Sequence, residues 1–285
     1  MVHELRGVRI DDLDGAELDQ KLEDWLAGQG SHVIVTPNAE FLLEARRNRA
    51  FKNLLNQSDL AIADSVSLQY AAAALSPVRL EHRIPGVDLL DRLCDLAANH
   101  HSRVLLLGGA PGAAEGAARR LETRHAALHV DSIDPGYVTW NNDQLVMDAG
   151  LIEALRSSQP TIVAVALGQH KQEQFIDQVR VHCPGVKIWI GVGGALEMIA
   201  GHKRRAPRWW SKIGLEWLWR LLIEPRRAGR IFNAAIVFPL AVGREAYRRG
   251  TLLSSSKNVF KEIFRTLITT PNPSLKRRGT EEYDR

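Results

Sequence analysis

The stretches HVIVTPNAE (32–40), RVLLLGGAPG (103–112), TIVAVALGQ (161–169) and VKIWIGVGG (186–194) decide the fold. Each begins with aliphatic, often β-branched residues that do not alternate with polar ones, and each ends in glycine, proline or a small polar side chain. A strand wetted on one face would alternate, so these runs belong to strands covered on both faces. LAIA (60–63) is a shorter run of the same kind. Between the runs lie helical patterns: AELDQKLEDWLAG (16–28), GVDLLDRLCDLAANH (86–100), GAAEGAARRLETRH (112–125) and QLVMDAGLIEALRSS (144–158), punctuated by Gly, Pro, Asp or Asn.

Strands alternating with helices predict an α/β chain with a Rossmann-like, mostly parallel sheet wrapped by helices over residues 1–201. With 285 residues, 45% of them apolar and 25% charged, the chain is long enough for a full core. Cys94 and Cys183 lie far apart with no metal-ligand spacing around them, which argues against a disulfide framework or a zinc site. The first residues, MVHELRGVRIDDLDG, hold no apolar core of a secretory signal, so a cytoplasmic location is expected.

Charge divides the chain. Residues 202–250 carry twelve Lys/Arg against three Asp/Glu, whereas the remainder carries 25 against 30. Four of the seven tryptophans fall between Trp209 and Trp219. Residues 202–250 therefore read as a basic helical appendage on a catalytic body, suited to an anionic partner, either phosphate-rich lipid or nucleic acid. Indole rings interleaved with cations suit the headgroup level of a bilayer, although the rings would also serve to pack the appendage on the body. IFNAAIVFPLAV (231–242) is too short to cross a membrane and reads as an interfacial or packed helix. Residues 251–285 form a tail with one weakly amphipathic stretch, and its last fifteen or so residues are expected to be disordered.

In an open parallel sheet, ligands bind beyond the carboxyl ends of the strands, so polar residues just after each run are the site candidates. Thr36 and Asn38 follow the first strand, and Asp64 follows LAIA. Partial desolvation there would raise the carboxylate's pKa and suit it to general-base work; the same position also suits an N-cap for SVSLQYAAAAL (65–75). Arg83, before a Pro-Gly turn, is placed to clamp a diphosphate or simply to face solvent. Gly108 and Gly109 open a strand-to-helix corner where backbone amides receive phosphate, though tight packing demands glycine equally. Gln172, in GQHKQE (168–173), offers an amide to sugar hydroxyls, and Lys171 a cation to phosphate. Asp12-Leu13-Asp14 has the spelling of a metal-binding Asp-x-Asp pair, but it precedes a helix and reads as turn and capping chemistry, so no metal is expected. Departing negative charge would then fall to cations and backbone dipoles.

In this order, TPNAEFL (36–42), the Ala-Asp pair at 63–64, RIPGVDLL (83–90), LLLGGAPG (105–112), G-x-x-K-Q-E (168–173), GVGGALEMIAGHKRRAPRW (191–209) and LEWLWRLLIEPRR (215–227) resemble the WecG/TagA/CpsF family of bacterial glycosyltransferases (glycosyltransferase family 26), over residues 6 to 248. The resemblance implies an inverting transferase that needs no metal or other cofactor. It would move N-acetylmannosamine or its uronic acid from a UDP-sugar to a polyprenyl-diphosphate-linked acceptor in cell-surface polysaccharide biosynthesis. Some relatives transfer glucose from UDP-glucose in exopolysaccharide assembly. Asp64 falls on the family's proposed base, and Thr36, Asn38, Arg83 and Gln172 on its pocket residues. Arg220, Arg227 and Arg230 match arginines of a C-terminal segment that closes over the site and contacts the diphosphate. Their spacing would put them on one face if a single helix bridged Pro225, where a bend is expected. The chain departs from the family at Ser65, where glycine is usual, and at His170, where proline is usual. A peripheral enzyme on the inner face of the plasma membrane follows, with an anionic membrane surface as partner. Self-association as a homo-oligomer is compatible with this reading.

Two other readings compete. A nicotinamide-dependent oxidoreductase would fit the α/β alternation and glycine corners, but the full G-x-G-x-x-G and its ribose-binding acid are missing. A nucleic-acid-binding protein would fit the Arg/Trp stretch, but no recognised module accompanies it, so no nucleic acid is expected as partner.

Overall fold

The computed structural model describes residues 1–141, 144–203, 216–223 and 228–268. The chain opens with a hairpin, β1 (Val2–Leu5) and β2 (Val8–Asp11), closed by Arg6 and Gly7 at φ 56° and 83°. Two successive positive φ values match the twist of a two-residue hairpin turn, and glycine supplies the second at no steric cost. Then follow α1 (Gly15–Ala27), β3 (His32–Val35), α2 (Ala39–Arg47), α3 (Arg49–Gln57), β4 (Leu60–Ala61), α4 (Val66–Leu75), α5 (Gly86–Asn99), β5 (Arg103–Gly108), α6 (Ala113–Arg124) and β6 (His129–Ile133). A second hairpin, β7 (Val138–Asn141) and β8 (Gln144–Met147), precedes α7 (Ala149–Ser158), β9 (Ile162–Ala166), α8 (Lys171–Val179), β10 (Ile188–Gly191) and α9 (Ala195–Ile199).

Six strands form one parallel sheet in the order β4-β3-β10-β9-β5-β6. The central runs are buried on both faces, as their unbroken apolar sequence requires: all five residues of β9 and all four of β10 are buried. One face packs on α1, α5, α6 and α9 through Ile34, Leu106, Ala164 and Ile190. The other packs on α2, α3, α4, α7 and α8 through Val35, Leu107, Val165 and Trp189. Two details differ from the sequence reading. The first four residues of QLVMDAGLIEALRSS form β8, because Asp148 caps α7 by accepting from Gly150 N and so starts the helix late. The edge strand β6 alternates in exposure and is wetted, so it lacks the apolar run that marks its neighbours.

Chain exits from the sheet alternate between the two faces. After β3 the chain turns to α2 on one face, after β10 to α9 on the other, after β9 back to α8, and after β5 to α6. In sheets of this kind, ligands bind beyond the carboxyl ends of neighbouring strands whose connections leave in opposite directions.

The Asp-x-Asp stretch is a cap and an anchor. Asp14 caps α1, accepting from Ala16 N and Glu17 N while Glu17 returns a bond to Asp14 N. Asp12 is buried and accepts from the amides of Glu81 (2.8 Å) and His82 (2.9 Å) and from His82 Nδ1 (2.8 Å). Burial pushes the Asp12 pKa up, but these donors outweigh it and hold the carboxyl below its usual range. This anchor ties the end of β2 to the loop that carries Arg83.

Beyond the sheet lie α10 (Glu216–Ile223) and α11 (Ala228–Phe232), with Pro225 outside the described residues, and α11 runs through a wide π turn at Asn233–Val237 into α12 (Phe238–Arg248). The π turn precedes Pro239, whose ring would meet the carbonyl of Ala235 in a regular α-helix. Segment 231–242 is both packed and exposed: Ile231, Phe238 and Val242 are buried, while Phe232, Ile236 and Leu240 face outward. The final helix, α13 (Leu252–Ile268), lies on α4 with its polar side inward. Ser255 Oγ donates to Ala74 O, and buried Glu262 accepts from Arg79 Nε and NH2 at 2.7 and 2.9 Å. Its outward face carries Leu253, Phe260, Phe264 and Leu267, the first two 82% and 70% exposed.

Replacing Asp12 with alanine strands two inward-facing amides, and we expect a loss of about 3 kcal/mol. Asp12→Asn, which keeps one acceptor, should lose less. Urea unfolding checks this: the midpoint should fall in that order at unchanged slope.

Candidate active site

The sequence candidates after β3 and β4 meet at the carboxyl edge of the sheet. Asp64 is half-buried just beyond β4, its amide donating to Pro37 O at 2.9 Å. Its carboxylate does not cap α4, whose N-cap is Ser65; Asp64 Oδ1 instead accepts from Gly86 N at 2.9 Å, in the first turn of α5. Ser65 Oγ pairs with Ser67 Oγ at 2.7 Å. The apolar run of β4 brings Asp64 to the edge, and the Pro85-Gly86 turn brings it an amide.

A chain of contacts leads from Asp64 along this edge. Gly86 lies against Thr36, since a Cβ on Gly86 would stand 3.5 Å from Thr36 Oγ1. Buried Thr36 donates through Oγ1 to Gly191 O at 3.2 Å, joining β3 to β10. Gln172 is fully enclosed: its Oε1 accepts from Gly193 N at 2.9 Å and its Nε2 donates to Glu173 Oε1 at 2.7 Å. The close approach explains Gly191, where any Cβ would fall 2.5 Å from Gln172 Nε2. Asn38 has a different local task, capping α2 through Oδ1 with Glu40 N and Phe41 N. Its side-chain amide nitrogen is not needed for that cap.

Gly108 and Gly109 have φ of 90° and 84°, which side-chain-bearing residues rarely adopt, and a Cβ on Gly108 would stand 3.0 Å from Ala166 O. Facing Gly109 is Glu197, a buried carboxylate that sequence reading passed over as part of a helix. Its Oε1 is 3.5 Å from Lys203 Nζ, while its Oε2 is buried without a hydrogen-bond partner, near the positions that a Cβ of Gly109 or Gly194 would take. An unmatched acceptor at a glycine corner can receive a hydroxyl or N–H from a ligand.

Glu173, the carboxylate that ends GQHKQE near the sheet edge, is buried. Both its oxygens are used, Oε1 by Gln172 and Oε2 by His170 N at 2.6 Å, yet burial dominates and pushes its pKa to about 7. His170 holds a positive φ of 70° and packs between Phe51 and Trp140, with ring centroids 5.0 and 4.9 Å away. Lys171 donates to Val138 O at 3.0 Å, tying α8 to the second hairpin.

Among the C-terminal arginines, Arg230 reaches the site's rim. Its Nε and NH2 contact Glu40 Oε2 at 2.8 and 2.7 Å, two residues from Asn38. Arg220 falls within α10, but its side chain lies outside the described residues, as does all of Arg227. Trp209 and Trp210 also lie outside them, whereas Trp217 and Trp219 are half-buried. Arg83 is half-buried on the loop anchored by Asp12, and its charge acts on the Tyr70 phenol of α4. Burial pushes that phenol's pKa up, opposed by Thr266 of α13 and by Arg83. Cys94 and Cys183 are buried thiols whose pKa values burial raises, so neither is an available thiolate near neutrality.

Residues 3–251 match the family described as "Glycosyl transferase WecG/TagA/CpsF family". Similar proteins include those of Staphylococcus aureus strain MRSA252 and strain NCTC 8325 / PS 47, both named N-acetylglucosaminyldiphosphoundecaprenol N-acetyl-beta-D-mannosaminyltransferase. Each is 30% identical over 235 residues, which cover 82% of this chain and 89% of the relative.

The Glu173 environment has a measurable signature. A folded pKa of about 7 above an ordinary value of 4.5 means that the folded state holds the extra proton between those pH values, so this group's contribution to stability falls as pH rises through that window. We expect Glu173→Gln to remove that slope, so the wild-type minus variant difference in unfolding free energy should decline from pH 4.5 to 7 and level off above. Urea denaturation across the range reads it directly.

Proposed function

Because this chain belongs to the WecG/TagA/CpsF glycosyl transferase family and is therefore a glycosyltransferase, we propose that it moves a hexose-type sugar from a UDP-sugar to a polyprenyl-diphosphate-linked sugar by a single inverting displacement without a metal. N-acetylmannosamine is the donor sugar favoured by the relatives' names, and those names also favour a diphospho-undecaprenol acceptor bearing N-acetylglucosamine.

In this reading Asp64 is the general base. It takes the proton from the acceptor hydroxyl as that oxygen bonds to the anomeric carbon, and the bond from that carbon to the UDP oxygen breaks. UDP leaves with the bonding electrons, and the sugar's configuration inverts because attack and departure occur on opposite faces. The observation that carries the reading is the continuous path from Asp64 through Gly86, Thr36 and Gly191 to Gln172, along one edge of the sheet. The amide of Gly86 fixes one carboxylate oxygen of Asp64. Thr36, Asn38 and Gln172 would position the sugar, with Gly108 and Gly109 giving backbone access to the phosphates. Glu197 Oε2 suits a nucleoside hydroxyl at the same corner. Arg83, Arg220, Arg227 and Arg230 would share the charge of the departing diphosphate, Arg230 exchanging Glu40 for phosphate.

The acceptor's lipid requires a bilayer within reach, and we assign that contact to the C-terminal helices over residues 202–268. Among the described residues no helix is long and apolar enough to cross a membrane. Outward-facing Leu253, Phe260, Phe264 and Leu267 on α13 share their helix with Lys257, Lys261 and Arg265, the mixture of an interfacial helix. The enzyme would thus work peripherally on a cytoplasmic leaflet, whose anionic lipids favour the basic appendage.

Asp64→Asn keeps an acceptor for Gly86 N but no base, so we expect transfer to fall by about 10²–10⁴-fold while UDP binding persists. Mass spectrometry of products from a short-chain polyprenyl-diphosphate sugar, with calorimetric titration of UDP, tests this. Wild-type turnover in that variant would remove Asp64 from the role of base.

A further inference from the structure

A cavity of about 690 Å³ lies away from the sheet edge, lined by Arg6, Arg46, Arg244, Arg248 and Glu245 with Val237, Leu240 and Ala241. It is formed where the first hairpin turn, the C-terminal end of α2 and α12 come together. Four guanidinium groups face one carboxylate there, and that carboxylate is already engaged. Glu245 Oε2 accepts from Arg6 NH1 at 3.0 Å, and its Oε1 accepts from Arg249. Arg6 also donates to Ala241 O at 3.0 Å, so it serves as the fixed floor of the cavity. Arg46, Arg244 and Arg248 are exposed and make no ion pair among the described residues. Like charges held together in a concave site are relieved by a bound anion. Burial lowers the Arg6 pKa, with Glu245 opposing it and Arg46 adding a smaller lowering.

One rim of the cavity is apolar. Leu240 belongs to an outward stripe with Phe232, Ile236 and Tyr247 along α11 and α12, and three of these four are more than half exposed. A ligand matching both features has a phosphate head and an adjoining hydrocarbon body. We infer that this cavity is a headgroup site for an anionic phospholipid: the phosphate enters among Arg46, Arg244 and Arg248 while Phe232, Ile236, Leu240 and Tyr247 enter the acyl boundary. Arginine forks match phosphate oxygens, and the apolar stripe excludes a fully soluble anion as the better fit. The site is separate from the transfer chemistry. Asn38 and Arg46 mark opposite ends of α2, which spans about 13 Å, so a lipid held here would not occupy the sheet edge.

This inference rests on the proposed peripheral contact with a bilayer, and the experiment separates the two. The full chain is sedimented with phosphatidylcholine vesicles carrying phosphatidylglycerol, or carrying oleate at matched surface charge. The wild type should bind the phosphate-bearing vesicles about tenfold more tightly than the carboxylate-bearing ones. Arg46→Gln with Arg244→Gln should erase that preference while leaving turnover on a detergent-solubilised short-chain acceptor unchanged. Lys257→Gln with Lys261→Gln removes the same charge outside the cavity, and should weaken binding to both vesicle types with the preference intact. Vesicle binding without a phosphate preference, or a preference surviving in the Arg46/Arg244 variant, overturns the headgroup site and leaves the bilayer contact standing. Absence of binding to any vesicle overturns both. Equal binding of soluble glycerol phosphate, measured by calorimetry, would assign the cavity to a soluble anion and overturn the lipid.

Discussion

A parallel sheet covered on both faces leaves polar side chains almost nowhere to stand except at its ends. Strands β9 and β10 are enclosed throughout, and a charged group on either would lose its hydration with no partner in reach. Chemistry is therefore driven to the carboxyl edge, where chain exits alternating between the faces part the connections and expose backbone amides. Thr36, Asp64, Gln172 and Glu197 all lie at or just beyond these exits. Their convergence follows from how the sheet is covered, since they come from four different connections.

Four carboxylates show how environment divides one functional group among several tasks. Asp12 receives three donors and is held charged as a structural anchor. Glu173 is also bonded through both oxygens, but with burial dominating it titrates near neutrality. Glu197 is satisfied at one oxygen and unmatched at the other, which is costly in a buried group unless a ligand completes it. Asp64 is only half-buried and oriented by an amide, a setting that leaves a carboxylate reachable. Residue type does not distinguish these roles; the number of donors and access of water do.

Of the C-terminal helices, α13 reverses the usual amphipathic rule and α12 carries apolar residues on both sides. α13 turns Ser255 and Glu262 inward to α4 and its leucines and phenylalanines outward, and α12 keeps Phe238 and Val242 inside while Leu240 and Tyr247 face away. An inward Arg79–Glu262 pair holds α13 on the body, where an apolar seam would have turned its leucines and phenylalanines inward. The same helices approach the site through Arg230 at Glu40 and through Thr266 beside Tyr70 and Arg83. The outward apolar faces and the contacts to Glu40 and Tyr70 are thus carried by the same C-terminal helices.

Much of this protein was determined by local sequence. Unbroken apolar runs in HVIVT, RVLLLGG, TIVAVALG and VKIWIGVGG specify the buried strands because hydrophobic burial on two faces leaves no other reading. The ordered motifs around Thr36, Asp64, Arg83 and Gln172 identify the family, and the wetted strands β6 and β8 escaped because a half-exposed edge has no such run. What only the tertiary structure decided is which groups meet. That Asp64 receives Gly86 rather than capping its own helix, that Glu197 keeps a bare oxygen at a glycine corner, and that Arg6 and Arg244 share one cavity across more than two hundred residues are outcomes of packing. Sequence spacing carries the period of a helix or strand, but a contact between distant segments depends on strand order and chain exits, which no local pattern encodes.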